Sequence, residues 1–270
     1  MSPRNRVAER VGLAMFGSVL VAFLLLPVLA LVATTPFDDL RDGLSHPLVW
    51  PAVRLSLFTT SASLVLIVTL GTPLAWSLAS ASGRVARVLE GLLELPIVLP
   101  PSVAGLALLL AFGRHGWVPG LVCPERCSMA FTTSAVIMAE VFVSAPFFVQ
   151  SATSAFRRID PKLVLVARSF GASPLRVFAR IALPLAAPGL LAGAAMSWAR
   201  ALGEFGATLM FAGNLEGRTQ TLPLAIYTAL ESDLRTAKAL SVVLVAIALV
   251  VLLVARTALP RHPLTKGAPR

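Results

Sequence analysis

A chain of 270 residues with 57% hydrophobic and 13% charged side chains and a mean hydropathy of +0.83 carries more apolar surface than a soluble fold of this size can bury, which excludes a soluble globular domain. The net charge of +10 invites a nucleic-acid reading, but the basic residues cluster at the ends of apolar segments without interleaved aromatics, so membrane topology accounts for them and no nucleic-acid partner is expected. Three histidines and two cysteines supply no zinc, haem or iron-sulfur set within one chain, so neither a metal site nor a cofactor is expected.

A helix rises about 1.5 Å per residue, so a hydrocarbon core of about 30 Å takes roughly 20 apolar residues. Windows of this kind predict an all-α membrane protein with about six spans, near Val11–Ala33, Leu55–Ser80, Leu95–Phe112, Ala130–Ala155, Pro188–Ala212 and Leu240–Ala255. The basic start and long apolar run to Ala33 read as a retained first span rather than a signal peptide. In the third window Pro96, Pro100 and Pro101 leave only Val103–Phe112 unbroken, which predicts a kinked or partly re-entrant segment. Residues 1–270 are expected to form a single transmembrane domain without internal repeats.

With the N-terminus inside, the inner segments hold 15 Lys and Arg residues and the outer segments hold seven, which favours two cytoplasmic termini. On this topology Cys123 and Cys127 lie outside, where a disulfide and two unpaired thiols are both open readings.

Between the fourth and fifth windows, residues 156–187 are too charged to span and too patterned to be a passive connector. Two short helices are expected, one starting at Asp160-Pro161, a turn at Gly171, and a second start at Ser173-Pro174, with Pro184 and Pro188 interrupting the chain before it re-enters the membrane. Such a pair serves either as an interfacial anchor, with its arginines on anionic membrane lipid, or as a rigid knob gripped by a soluble partner.

The fifth window places Arg200 and Glu204 four residues apart, hence on one face of a helix, where an unpaired charge costs on the order of 2.5 to 3.5 kcal/mol. One reading is a structural ion pair. The other sets the pair beside a translocation path, with Gly203 and Gly206 as hinge or close-packing points, Thr208, Ser197 and Ser102 as hydrogen-bond donors, and Glu140 of the fourth span as an interhelical partner of Arg200 or a solvated interfacial group.

The spacing Gly171, nine residues, Ile181-Ala182-Leu183-Pro184 resembles the cytoplasmic loop of ABC importer permeases, whose pattern is E-A-A, three residues, Gly, nine residues, I-x-L-P. Here Leu165 stands at the Glu position and only Ala167 remains of the triplet. The stretches Glu94–Gly116 and Ala199–Asp233, including GEFGA and GNLEGRTQTLPLAIY, resemble the molybdate permeases in particular, and the similarity runs over the core from 55 to 256.

The resemblance implies a type I ABC importer permease fold with a cytoplasmic coupling helix between spans 4 and 5. Through Ala167, Arg168, Gly171, Ala172, Ser173 and Pro174 that helix would contact a separate ABC ATPase subunit. It further implies a homodimer, a periplasmic or lipid-anchored oxyanion-binding protein, and import of molybdate or tungstate across the inner membrane. The chain has no G-x-x-x-x-G-K-[ST] loop, so ATP and Mg are expected on the ATPase and no catalysis is expected in this subunit. A sulfate or thiosulfate permease, and an ion-coupled secondary transporter using Arg200, Glu204 and Glu140, are the competing readings.

Overall fold

The computed structural model describes residues 3–118 and 128–258, so Cys123 and Cys127 lie outside the described residues. Helix α1 spans Pro3–Ala33 and turns by 76° into the short α2, Phe37–Leu44. Helix α3 covers Val49–Ser80, α4 Arg84–Val98, α5 Pro101–Phe112 and α6 Thr133–Arg157. Then follow α7 (Pro161–Ser169), α8 (Pro174–Leu202), α9 (Gly206–Ala212), α10 (Leu222–Ser232) and α11 (Leu234–Ala258). Four helices, α3, α6, α8 and α11, are each long and apolar enough to cross a membrane, and the bent pairs α1/α2 and α4/α5 bring the number to as many as six.

Helix α6 is the centre of the bundle, packed between α3 and α8. The approach of α8 is close because Gly193 carries no side chain: a methyl group there would stand 2.7 Å from the Ser151 Cβ. Phe148, Ala152 and Phe156 of α6 fill one half of the core with Ala75 and Leu78 of α3 and Ala186 of α8. At its other end, Ala135, Val136 and Ala139 pack on Ala104 and Leu108 of α5 and on Ala207 and Phe211 of α9.

The third expected span is resolved by these contacts. Leu99 and Pro100 are extended (ψ 132° and 137°), as residues preceding a proline tend to be, and α4 and α5 meet there at 112°. Helix α4 nevertheless sits at the Arg157 end of α6, where Arg157 pairs with Glu90 and Gln150 donates to Glu94 at 3.1 Å, while α5 sits at the Thr133 end. The pair therefore traverses the bundle as a broken span.

Two expectations are corrected. Pro184 and Pro188 do not interrupt the chain: α8 runs continuously from Pro174, and a five-residue π turn at Phe178–Ala182, closed by Leu183 N–H donating to the Phe178 carbonyl, accommodates the proline that follows. The fifth window is not one helix to Ala212, because α8 ends at Leu202 and a new helix, α9, begins at Gly206.

Candidate functional site

Two regions carry the polar chemistry, and the first is the loop from α6 to α8. Asp160 accepts from the Lys162 amide at 2.9 Å and Pro161 opens α7, as read from the sequence. The helix ends in a Schellman arrangement: Gly171 N–H donates to Arg168 O at 2.9 Å and Ala172 N–H to Ala167 O at 3.1 Å, with Gly171 at φ +78°. A residue with a Cβ pays roughly 1–2 kcal/mol in that left-handed region, which is why glycine stands there. Ser173 then accepts from the Arg176 amide and Pro174 begins α8. The named residues Ala167, Arg168, Gly171, Ala172, Ser173 and Pro174 thus form one turn joining the two helices.

That loop displays apolar side chains, of which only Leu165 stands out from the sequence pattern. Phe170 is 87% exposed, and Leu165 and Leu175 stand out beside it. Their signal was present as apolar residues spaced through an otherwise basic segment. At the base of the loop Trp76 of α3, Phe156 of α6 and Phe178 of α8 pack as an aromatic triad with ring centroids 5.3 to 6.2 Å apart.

The second region surrounds the break between α8 and α9. Arg200 Nη1 donates to Glu204 Oε2 at 2.8 Å, so the pair forms, although Glu204 lies past the end of α8 rather than on its face. The other carboxylate oxygen, Oε1, accepts from the Ala207 amide at 2.8 Å. Glu204 is thereby fully engaged and buried, while the Arg200 side chain keeps 31% exposure. Gly203 ends α8 with open space around it; Gly206 is the close-packed glycine, since a Cβ there would stand 2.6 Å from the Pro101 Cβ. The two broken spans therefore meet at their breaks.

Glu140 is neither solvated nor paired with Arg200. It is buried in α6 and takes hydrogen bonds from Thr59 Oγ1 (2.8 Å) and Ser63 Oγ (2.7 Å), because α3 lays a stripe of Ser56, Thr59, Thr60 and Ser63 against it. Ser56 in turn accepts from the Leu222 amide at 2.7 Å, tying α10 to the same stripe. Of the expected oxyanion donors, Ser197 is occupied, donating to Ser144 O at 2.9 Å, and Thr208 is wholly buried with its hydroxyl unpartnered among the described residues. Ser102 is exposed beside the α4/α5 break.

A family model described as the binding-protein-dependent transport system inner membrane component matches residues 67–261. The chain belongs to that family. This permease is 42% identical over 233 residues to the molybdenum transport system permease protein ModB of Mycobacterium tuberculosis, covering 86% of this chain and 88% of the relative. It is 33% identical over 240 residues to the probable transport system permease protein NifC of Clostridium pasteurianum (88% and 84% covered). With the ModB of Escherichia coli K12 it shares 38% over 184 residues (68% and 80%).

Among solved structures, the permease superposes on a chain of a bacterial ABC transporter for the acidic polysaccharide alginate with a TM-score of 0.75 at 18% identity, covering 97% of this chain and 99% of that one. For the inward-facing methionine transporter MetNI the TM-score is 0.63 at 18% identity (78% and 94% covered). The all-helical type I importer fold expected from the sequence is the fold observed, and the subunit is a multi-pass transport permease.

Proposed function

We propose that this permease is the membrane-spanning subunit of an ATP-driven importer of molybdate. The observation that carries the cargo is the identity of 42% to a molybdenum permease over 86% of this chain. The polar centre accepts a tetrahedral dianion without naming one: Arg200 offers guanidinium N–H groups beyond the one held by Glu204, and Ser102 offers a hydroxyl. Tungstate shares this chemistry. The relatives' names weigh against sulfate as cargo, and the transport family weighs against an ion-coupled secondary transporter.

In this reading the turn at Gly171 docks on a separate ATPase, which holds ATP and Mg, and this chain binds no cofactor of its own. Exposed Phe170, Leu165 and Leu175 support that assignment by giving the loop around Gly171 an apolar contact surface. Two copies pair around the path, a periplasmic or lipid-anchored oxyanion-binding protein delivers cargo outside, and both termini are cytoplasmic, in keeping with the excess of inner Lys and Arg. Closure of the ATPases moves the knob and switches the spans as rigid bodies.

The test is to purify the permease with its co-expressed ATPase in proteoliposomes and supply the binding protein loaded with molybdate, tungstate or sulfate. Hydrolysis and uptake stimulated by molybdate are the expected result; stimulation by sulfate alone overturns the cargo, and uptake without ATP overturns the class.

A further inference from the structure

Resting on that reading of the cargo, we infer that the groove between α6 and α8 is the inner half of the anion route, and that Arg158 is the station from which the tetrahedral dianion leaves. The groove has a volume of about 480 Å³ and is lined by Gln150 and Ser154 of α6, its C-cap Arg158, and Gly189, Ala192 and Met196 of α8. On each helix these positions recur every three or four residues, so each set forms one face. The α8 face continues one turn further, from Met196 to Arg200. The track therefore runs from one helical turn short of the ion pair at the α8/α9 break to the end of α6.

Charge along the track changes in one direction. Arg200 is neutralised by Glu204, whereas Arg158 has no carboxylate within ion-pairing distance among the described residues. No acidic residue lines the groove, and Ser154 supplies a hydroxyl donor between the two arginines, while the Gln150 amide is turned to Glu94 of α4. An anion released at the break therefore meets an uncompensated cation only at the far end.

The adjoining flank of α6, which shares Gln150 and Ser154 with the groove, has the reverse character. A second cavity, of about 230 Å³, is bounded there by Glu90 and Glu94 of α4 with Arg157, and Arg157 is already engaged by Glu90. Two carboxylates against one guanidinium leave that side net negative, which favours the α8 side for a dianion. Arg158 also caps α6 two residues before Asp160 opens α7, which fixes the exit station to the loop expected to move.

The experiment uses the complete complex, with ATPase and binding protein, in vesicles of phosphatidylcholine alone and of phosphatidylcholine with phosphatidylglycerol. It reads radiolabelled molybdate taken up per ATP hydrolysed. Arg158→Gln should lower this ratio at least about tenfold in both lipids, the worth of one charge-assisted hydrogen bond, and Arg158→Lys should restore most of it. Ser154→Trp, which fills the groove midway, should lower it further; Ala192→Leu, which narrows the same groove from α8, provides the same reading should the tryptophan variant fail to assemble.

Wild-type ratios in Arg158→Gln and in the groove variant overturn the inference. A loss in Arg158→Gln confined to vesicles containing phosphatidylglycerol assigns the arginine to a lipid headgroup and also overturns it. Should the wild-type complex import no molybdate, the proposed cargo falls and the inference with it, whereas wild-type uptake with unaffected variants removes the groove alone.

Discussion

Glu204 holds Arg200 with one carboxylate oxygen and the backbone amide of Ala207 with the other, each at 2.8 Å, so a single side chain bridges the end of one helix and the start of the next. Glu204→Gln keeps an acceptor for the amide but leaves Arg200 uncompensated; Glu204→Ala removes both. The glutamine variant should lose about 2 kcal/mol and the alanine variant more, since partial exposure lets Arg200 recover some hydration. Thermal unfolding in detergent checks this, and equal melting temperatures for both variants and wild type would refute the bridge.

Glu140→Leu leaves the hydroxyls of Thr59 and Ser63 facing an apolar side chain. Glu140→Gln preserves one acceptor and the volume. The leucine variant should cost about 2 kcal/mol and the glutamine variant about 1 kcal/mol or less, read from the same unfolding transitions. A leucine variant as stable as wild type would mean that both hydroxyls turn back to carbonyls of α3, as Thr59 already does toward Ser56 at 3.3 Å.

How much of this was readable beforehand divides by the range of the interactions. The start at Asp160-Pro161, the turn at Gly171 and the restart at Ser173-Pro174 were legible because each rests on chemistry within four residues. The break at 203–205 was legible only as a hinge or close-packing point at Gly203 and Gly206, because these residues sit in a long apolar window and the break is fixed from outside it, where Pro101 abuts Gly206. The partners of Glu140 lie 77 and 81 residues away, although the 3–4–7 spacing of Ser56, Thr59, Thr60 and Ser63 marks a polar face in an apolar helix. The unbroken course of α8 was missed because the rule that proline stops a helix omits the π turn that absorbs it.

Phe170→Ala should weaken co-purification of the ATPase at least about tenfold, as expected when an exposed aromatic is the centre of a docking contact, with little change in the stability of the permease itself. Pull-down against tagged ATPase measures it; undiminished recovery would place docking elsewhere on the loop.

Gly171→Arg should prevent ATPase assembly while leaving membrane insertion intact, because φ +78° strains any side chain at a position where nothing crowds it. Gly171→Asn, which tolerates that conformation better, should retain part of the assembly. Normal assembly and uptake in the arginine variant would contradict the docking role.

The aromatic triad has a mechanical corollary. Trp76, Phe156 and Phe178 belong to three different helices that all reach the membrane interior, so a push received at the turn is shared among them at the first layer of packing instead of being dissipated along one connector. Stiffness there sets the stroke of the machine: trimming Trp76 to leucine is expected to leave fuel consumption running while less cargo moves with each cycle, a slipping clutch rather than a broken engine.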